Sequence, residues 1–269
     1  MCYVPRVRGL FCGILALVVT VGGCNQDTAT RAEPFSSPAT TSASQPSATA
    51  SQVAAAAAHP DQPPIDCPLR KQGIDPHSLE PFEDVEKYIN FLERPDRAVW
   101  QKPDEVVKAL ALTGSETVVD LGAGSGYFSF RFARALPSGK VIAVDVAPEM
   151  VRHIHHKAMM EGVTNVEAVL AKPDDPYVTS DADVVFICDV LHHVDDRANW
   201  LGRVFAKMGK GARLVLVEFK EGDLPEGPPA KVKLPRKQLE TLIRNAGFGE
   251  PKADDQLLPY QLVLEAKKE

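Results

Sequence analysis

Two carboxylates and a run of glycines are the residues of this sequence best placed to bind a ligand. Asp120 lies just before Leu-Gly-Ala-Gly-Ser-Gly, where Gly122, Gly124 and Gly126 lack the Cβ atoms that would keep a ligand away from the backbone. Asp145 follows 19 residues after Gly126. A carboxylate at about this spacing can accept hydrogen bonds from both hydroxyls of a ribose. The pattern therefore predicts a ligand that contains a nucleoside.

The spacing of the glycines distinguishes two kinds of ligand. A dinucleotide fingerprint reads G-x-G-x-x-G and places a pyrophosphate at a helix N-terminus, whereas here the third glycine comes one residue earlier. The carboxylate of Asp120 would repel a diphosphate, but it suits a ligand with an ammonium group. S-adenosylmethionine carries an ammonium and a sulfonium and no phosphate, so it is favoured over a nicotinamide dinucleotide.

These residues need a scaffold that brings strand ends together, and the alternation of strands and helices supplies one. Strands this apolar are buried on both faces, as in a parallel sheet covered by helices, and such sheets bind ligands at the carboxyl ends of their strands. The predicted strands are 117–121, 140–145, 166–170, 182–188 and 212–218, followed by a terminal hairpin of 256–258 with 261–265. The predicted helices are 81–92, 103–112, 127–136, 148–161, 197–208 and 235–246.

Two stretches resemble a known enzyme class. Residues 118–129 resemble motif I of the class I S-adenosylmethionine-dependent methyltransferases, and 141–150 (VIAVDVAPEM) are similar to their second motif. The resemblance covers the chain from about Pro103 onward. It implies a Rossmann-like α/β three-layer sandwich with N-terminal helices, whose mostly parallel seven-stranded sheet has the order 3-2-1-4-5-7-6 with strand seven antiparallel. It also implies S-adenosyl-L-methionine as the cofactor. The motifs do not specify a substrate, and a small molecule or a lipid-like molecule is the expected methyl acceptor.

The same resemblance implies which residues bind the cofactor. Asp145 would bind the ribose hydroxyls, and an acid after the third strand would lie near the adenine amino group. Asp174 and Asp175 both match that acid, and the sequence does not choose between them; the Gly-Asp pair common in this loop is replaced by Ala171-Lys172. The implied cofactor-binding residues are Asp120, Gly122, Ala123, Gly124, Gly126, Asp145, Val146, Asp174, Asp175 and Asp189.

The end of the fourth strand carries the candidate catalytic residues. The segment 188–194 reads Cys-Asp-Val-Leu-His-His-Val, and similar enzymes often have Leu-His-His there. A general base is needed if the acceptor must lose a proton, and an imidazole titrates near the working pH. His192 and His193 are therefore the candidate catalytic residues, with local packing as the alternative. Asp189 either holds the methionine portion of the cofactor or caps a turn.

Composition disfavours several other classes of protein. Lys and Arg number 30 against 36 Asp and Glu, a net charge of −6, so no basic excess indicates nucleic-acid binding. The five cysteines are too scattered for a disulfide framework, and no metal site is predicted. Two alternatives stay open: a non-catalytic module that binds S-adenosylmethionine, and a nicotinamide-dependent oxidoreductase. The sequence does not indicate an oligomeric state.

The N-terminal residues are interpreted as lying outside the fold. Arg6 and Arg8 precede an apolar run over 10–21, too short to span a bilayer, which ends in Val-Gly-Gly before Cys24 and so resembles a bacterial lipobox. We expect a lipoprotein-type signal peptide over 1–23, a lipidated Cys24, a disordered tether rich in Ala, Ser, Thr and Pro over 24–66, and a methyltransferase domain over 67–269. That domain would comprise a helical cap (67–112) and a Rossmann-like core (113–269).

The lipobox and the motifs indicate different cellular locations. A lipidated cysteine predicts a membrane-anchored protein of a bacterial cell envelope. S-adenosylmethionine, however, is made in the cytoplasm. A start site further downstream would give a cytoplasmic enzyme, and that alternative stays open.

Overall fold

The computed structural model describes residues 67–75, 78–79 and 82–269, so the expected signal peptide and tether lie outside the described residues. No helix among the residues described is long and apolar enough to cross a membrane. The helices are α1 (Pro68–Lys71), α2 (Phe82–Leu92), α3 (Arg97–Gln101), α4 (Pro103–Ala109), α5 (Ser129–Ala135), α6 (Pro148–Met160), α7 (Arg197–Lys207) and α8 (Arg236–Asn245). The strands are β1 (Thr117–Leu121), β2 (Lys140–Asp145), β3 (Val166–Leu170), β4 (Val184–Cys188), β5 (Arg213–Phe219), β6 (Lys252–Asp254) and β7 (Gln261–Lys267).

The strands form one seven-stranded sheet in the order β3-β2-β1-β4-β5-β7-β6. The first five strands pair in parallel, and β7 pairs antiparallel with both β5 and β6. This confirms the predicted sheet order and the predicted antiparallel strand seven. The strand order reverses between β1 and β4, and ligands of such sheets bind at the carboxyl ends of the strands next to this point.

Helices cover both faces of the sheet because successive strand residues point to opposite sides. On one face, Val118 packs in a cluster with residues of α4 and α5, and Ala143 packs in a neighbouring cluster with residues of α6. On the other face, Val119 packs in a third cluster with residues of α7 and α8. The apolar strands are therefore buried on both sides, as their composition predicts.

An aromatic cluster holds α5 against the sheet. The ring centroid of Phe186 in β4 lies 4.9 Å from those of both Phe128 and Phe132. Aromatic pairs at such distances contribute about 0.5–1.5 kcal/mol beyond the area they bury. Because Phe128 lies only two residues after Gly126, this packing fixes the position of the loop relative to β4.

The helix α2 packs against the start of α6, beside the end of β2. Val85 and Ile89 of α2 pack against Ala147 and Met150 at the start of α6. Just after α2, the carboxylate of Glu93 accepts a hydrogen bond of 2.6 Å from Lys157 Nζ of α6. This segment therefore lies beside the end of β2, next to the loop that follows β1.

Two local expectations were wrong. The first strand of the terminal hairpin lies at Lys252–Asp254, not at 256–258. Asp254 Oδ1 accepts hydrogen bonds from the backbone N–H groups of Gln256 (2.8 Å) and Leu257 (3.0 Å), which turns the chain where a strand was expected. The short helix α3 was not predicted, because its five residues RAVWQ are too few to show a helical period.

Candidate active site

The backbone of the glycine loop is hydrogen-bonded to the end of the neighbouring strand β2. The backbone N–H groups of Gly122 and Ala123 both donate to the Val144 carbonyl, at 2.8 and 2.9 Å. Gly122 has a φ of +77°, and a Cβ atom there would overlap the side chain of Val190. A larger residue is therefore excluded at this position by both backbone conformation and space.

Asp145 joins this loop to the end of β2. Its Oδ2 accepts the backbone N–H of Gly124 and its Oδ1 that of Ala147, both at 2.8 Å. The residue is 9% exposed, and burial raises the pKa of the carboxyl group although the backbone hydrogen bonds oppose the shift. Each oxygen keeps a further lone pair, so the carboxylate can still accept a hydrogen bond from a ligand.

Asp120 is a second buried carboxylate beneath the loop. Ser129 Oγ donates to its Oδ2 at 2.6 Å. Burial raises the pKa of Asp120 to about 7, and the negative charge of Asp145 adds to the shift. An ionised Asp120 would therefore be stabilised by any cationic group that enters the site.

Asp189 follows β4 in a left-handed conformation, with a φ of +59°. Its carboxylate accepts hydrogen bonds from two buried amides, Gln101 Nε2 at 3.1 Å and Gln261 Nε2 at 2.7 Å. Burial raises the pKa of Asp189 to about 6, with a further contribution from the charge of Glu218. Neither glutamine was expected, because α3 and the start of β7 lie outside the motifs that single out a site.

His192 and Glu218 form a buried pair at the ends of β4 and β5. His192 Nδ1 lies 2.9 Å from Glu218 Oε2, and the Leu191 N–H donates to Glu218 Oε1 at 2.7 Å. Burial alone would lower the pKa of His192, but the hydrogen bond and charge of Glu218 outweigh it and raise the pKa. Glu218 was not among the candidate residues, although an acid at the end of an otherwise apolar strand is a signal that could have found it.

His193 differs from its neighbour. Its side chain is exposed, with no carboxylate paired to it in the part of the chain described. Burial of part of the ring and the nearby charge of His192 lower its pKa. Of the two candidate histidines, His192 is the one held by a partner.

The remaining predicted cofactor-binding residues, Val146, Asp174 and Asp175, are exposed. Val146, directly after Asp145, is 43% exposed and offers apolar surface. Asp174 and Asp175 are both exposed, and Asp175 Oδ1 accepts a hydrogen bond of 2.7 Å from Lys207 at the end of α7. The role of either acid near adenine stays a prediction; residues of α7 contact both, since Arg203 Nη1 also donates to the Asp174 carbonyl at 2.8 Å.

The donor set fits S-adenosylmethionine. Three carboxylates, the buried Asp120 and Asp145 and the half-buried Asp189, lie at the ends of β1, β2 and β4, and each has a raised pKa. Burial is the largest cause of each shift, and a ligand with an ammonium and a sulfonium group would stabilise the ionised carboxylates. Across the described residues, no group of three His, Cys, Asp or Glu side chains could hold a metal ion.

Comparison with known families agrees with this geometry. The family model described as "Methyltransferase domain" matches residues 112–258, more than half of the chain. The chain therefore belongs to the methyltransferase-domain family. The predicted enzyme class, an S-adenosylmethionine-dependent methyltransferase, is confirmed at the level of family and fold.

Curated relatives match in part. A ubiquinone/menaquinone biosynthesis C-methyltransferase UbiE from Pasteurella multocida is 35% identical over 105 residues, which cover 38% of this chain and 39% of that protein. Methyltransferase str2 from Strobilurus tenacellus is 27% identical over 154 residues, which cover 56% of this chain and 52% of that protein. The chain thus spans from about two fifths to about half the length of these two relatives.

Solved structures share the fold. A SAM-dependent methyltransferase from Aquifex aeolicus aligns with a TM-score of 0.62 at 23% identity, covering 70% of this chain and 99% of that chain. Human N-acetylserotonin methyltransferase, solved with SAM, aligns with a TM-score of 0.57 at 18% identity, covering 74% of this chain and 61% of that chain. At these identities the likeness establishes the fold and leaves the substrate open.

Proposed function

We propose that this protein transfers the methyl group of S-adenosylmethionine to the hydroxyl group of a small aromatic molecule. The observation that carries the proposal is the buried pair of His192 and Glu218, which lies on the same edge of the sheet as the glycine loop and Asp145. Such a pair is suited to removing a proton from an acceptor. A carbon or nitrogen atom that is already nucleophilic would not require it.

The cofactor half of the proposal rests on the glycine loop and on three acids near it. When bound, S-adenosylmethionine supplies an electrophilic methyl group on a neutral leaving group. Asp145 would accept the ribose hydroxyls, and the exposed side chain of Val146 would pack against adenine. Asp120 and Asp189 would provide negative charge for the ammonium and sulfonium groups.

The hydrogen-bond partners of His192 set the tautomer and the orientation of its imidazole. A carboxylate only accepts hydrogen bonds, so the proton of the neutral imidazole lies on Nδ1 and is donated to Glu218. The lone pair on Nε2 then remains to take a proton from the acceptor. Because Glu218 is itself held by the Leu191 N–H, the imidazole orientation is fixed before any ligand binds.

An aromatic cluster at the carboxyl end of β5 supports an aromatic acceptor. The Trp100 ring lies 5.6 Å from that of Phe219 and 6.2 Å from that of Tyr260, centroid to centroid. Phe219 directly follows Glu218 in β5. Flat apolar walls of this kind suit a planar ring, and the matched relatives include enzymes named for quinone biosynthesis.

The test is methyl transfer by the full-length protein to matched sets of phenols, aliphatic acids and amines, measured as release of S-adenosylhomocysteine. We expect turnover with phenols, and we expect His192→Gln to lower kcat by about 10²–10⁴-fold, the usual contribution of a general base. His193→Gln is the matched control and should leave kcat within a few-fold. Equal activity of His192→Gln and wild type would contradict the proposal.

We further propose that the protein is anchored to a membrane through lipid on Cys24. The lipobox-like segment supports this proposal. Acyl chains on Cys24 would insert into the membrane, and each would contribute about 0.8 kcal/mol per buried CH₂. Cys24→Ser should move the protein from the membrane fraction to the soluble fraction and remove incorporated palmitate label. A Cys24→Ser protein that fractionates and migrates like wild type would contradict the lipid anchor.

A further inference from the structure

Lys233 is a buried lysine with no acidic partner in the described part of the chain. It follows the short turn Ala230–Val232, is 8% exposed, and is the one buried lysine among the described residues. Its Nζ donates one hydrogen bond, of 2.8 Å, to the Gly222 carbonyl. An ammonium group has three donors, and lysines are almost never fully buried unless they are paired. Lys233 therefore has positive charge and donors that the described residues leave unused.

Trp100 brings a second unused donor to the same place. The residue is 8% exposed, and its indole Nε1 has no hydrogen-bond partner among the described residues, whereas buried polar groups are nearly always hydrogen-bonded. The Trp100 ring lies 5.6 Å from that of Phe219, centroid to centroid, and Lys233 Nζ lies 5.9 Å from the Phe219 centroid. Both donors therefore border one aromatic ring, although they come from α3 and from the loop after β5.

The ring of Phe219 lies at the edge of the sheet that carries the candidate site. Phe219 ends β5 directly after Glu218 of the buried pair. Gln101, directly after Trp100, donates to Asp189 at 3.1 Å. Because the sequence neighbours of both rings belong to the candidate site, the aromatic cluster borders the place where the proposed methyl acceptor would bind.

A nearby arginine allows a direct comparison with Lys233. The guanidinium Cζ of Arg94 lies 5.8 Å from the Trp100 ring centroid. Arg94 Nη2 is paired with Glu226 Oε2 of the loop after β5, at 2.5 Å. Two cations thus lie beside the same pair of rings, but a carboxylate of the described residues neutralises only Arg94. The group that would complete Lys233 is therefore an anion.

We propose that the methyl acceptor is a hydroxylated aromatic acid, and that Lys233 and the indole N–H of Trp100 bind its carboxylate. An ammonium and an indole N–H only donate, so their shared ligand group must be an acceptor, and the two oxygens of a carboxylate can serve one donor each. Hydrogen bonds between charged groups are about twice as strong as neutral ones. The inference rests on the proposed methylation of an aromatic hydroxyl group.

The first experiment compares phenols that differ in charge. Methyl transfer by the full-length protein would be measured with the isomeric hydroxybenzoates and with the corresponding hydroxybenzamides, which keep the ring and the hydroxyl but are neutral. We expect kcat/KM to be about 10–100-fold higher for the acids, the effect of a hydrogen bond or two to a charged group. Lys233→Met should remove this preference by raising KM for the acids, and should change KM for the amides by only a few-fold. Lys231→Met, at an exposed lysine of the same turn, is the matched control and should keep the preference.

A measurement on the wild-type protein does not depend on whether Lys233→Met folds. The chain has two tryptophans, so the isotope-labelled protein should give two indole N–H signals in nuclear magnetic resonance spectra. Hydroxybenzoate should shift the signal that Trp100→Phe removes, and should leave that of Trp200 in α7 in place. Absence of any shift at saturating hydroxybenzoate would overturn the inference, even if neutral phenols are methylated.

Other outcomes separate the carboxylate site from its alternatives. Equal kcat/KM for acids and amides in the wild type would overturn the inference. An equal rise of KM for both by Lys233→Met would also overturn it, since Lys233 would then only support the loop. Weaker binding of S-adenosylhomocysteine by Lys233→Met in calorimetry, with the preference for acids kept, would assign its charge to the cofactor and overturn it as well. A shift of the Trp100 signal without methyl transfer to any phenol would support the carboxylate site and overturn the proposed function instead.

Discussion

The two halves of the candidate site are built in different ways. In the glycine-loop half (residues 120–126 with Asp145), the Asp145 carboxylate is held by backbone N–H groups that lie 21 and 2 positions away in sequence. In the strand-four half (Asp189, His192 and Glu218), side chains hold each other across 88, 72 and 26 positions. Backbone donors depend on loop conformation, whereas side-chain donors depend on the identity of distant residues.

This difference explains how a shared fold accommodates different acceptors. A loop fixed by its own backbone presents the same groups whatever surrounds it, as binding a common cofactor requires. The strand-four half, by contrast, is built from side chains that are distant in sequence, so it changes whenever residues of α3, β5 or β7 change. We therefore expect substitutions in the glycine-loop half to affect cofactor binding and stability, and those in the strand-four half to affect turnover.

The largest expected effect is on the loop conformation. Gly122→Ala places a Cβ atom against Val190 in a left-handed backbone conformation. The free energy of unfolding should fall by about 2–4 kcal/mol, combining overpacking with backbone strain. Gly162→Ala is the matched control, since its φ is also positive but a Cβ atom there meets nothing within 4 Å; about 1 kcal/mol is expected. Equal losses of unfolding free energy in Gly122→Ala and Gly162→Ala, measured by urea unfolding, would contradict the tight packing of the loop.

The next effect concerns cofactor affinity. Asp145→Ala should weaken S-adenosylmethionine binding by about 1.5–3 kcal/mol through loss of charge-assisted hydrogen bonds. Asp175→Ala should weaken it less, because that carboxylate is exposed and paired with Lys207. Calorimetry on both variants checks this, and a larger loss for Asp175→Ala would restore the adenine contact as a main determinant of affinity.

A third effect is the pH dependence of stability. The folded-state pKa of Asp120 lies near 7, above its unfolded value of 3.8, so the folded protein binds the proton more tightly than the unfolded chain between these values. Ionisation of Asp120 therefore costs stability as pH rises from 5 to 7, by about 1–2 kcal/mol. Asp120→Asn should flatten this part of the stability curve in urea unfolding. An identical slope in the variant would show that Asp120 is not the buried group described here.

The smallest expected effect is a shift in a pH–rate profile. The base form of His192 is the neutral one, so activity should rise with pH through its pKa, which Glu218 raises. Glu218→Gln removes that charge, so the acidic limb of kcat should move to lower pH by about one unit, with a lower plateau. Glu221→Gln, a nearby exposed acid, is the control. A shift to higher pH in Glu218→Gln would contradict the pairing.

The sequence predicts much of the fold because the signals for it are local. The strands Thr117–Leu121, Lys140–Asp145 and Val166–Leu170 begin and end where their apolar runs do. Asp145 was also predicted, since its role depends on spacing within one strand-helix-strand unit. The local pattern gave the wrong position for the strand Lys252–Asp254. Apolar Leu257 and Leu258 suggested a strand there, but the turn held by the Asp254 carboxylate ends the strand before them.

The strand-four half could be predicted only in part. His192 stood out as a histidine after an apolar strand, but nothing near it in sequence indicates Glu218 as its partner. Gln101 and Gln261 were missed because glutamine is an ordinary surface residue, and only the meeting of α3 with β7 buries both. Contacts of this kind depend on tertiary structure, which the periodicity of apolar residues in the sequence does not predict.

We predict that the glycine loop and Asp145 hold S-adenosylmethionine. The most direct test is calorimetric titration of the full-length protein with S-adenosylmethionine, S-adenosylhomocysteine and NAD. We predict binding of both sulfur ligands with dissociation constants on the order of micromolar, about −8 kcal/mol, and no binding of NAD. Binding of NAD, or of none of the three, would contradict the account.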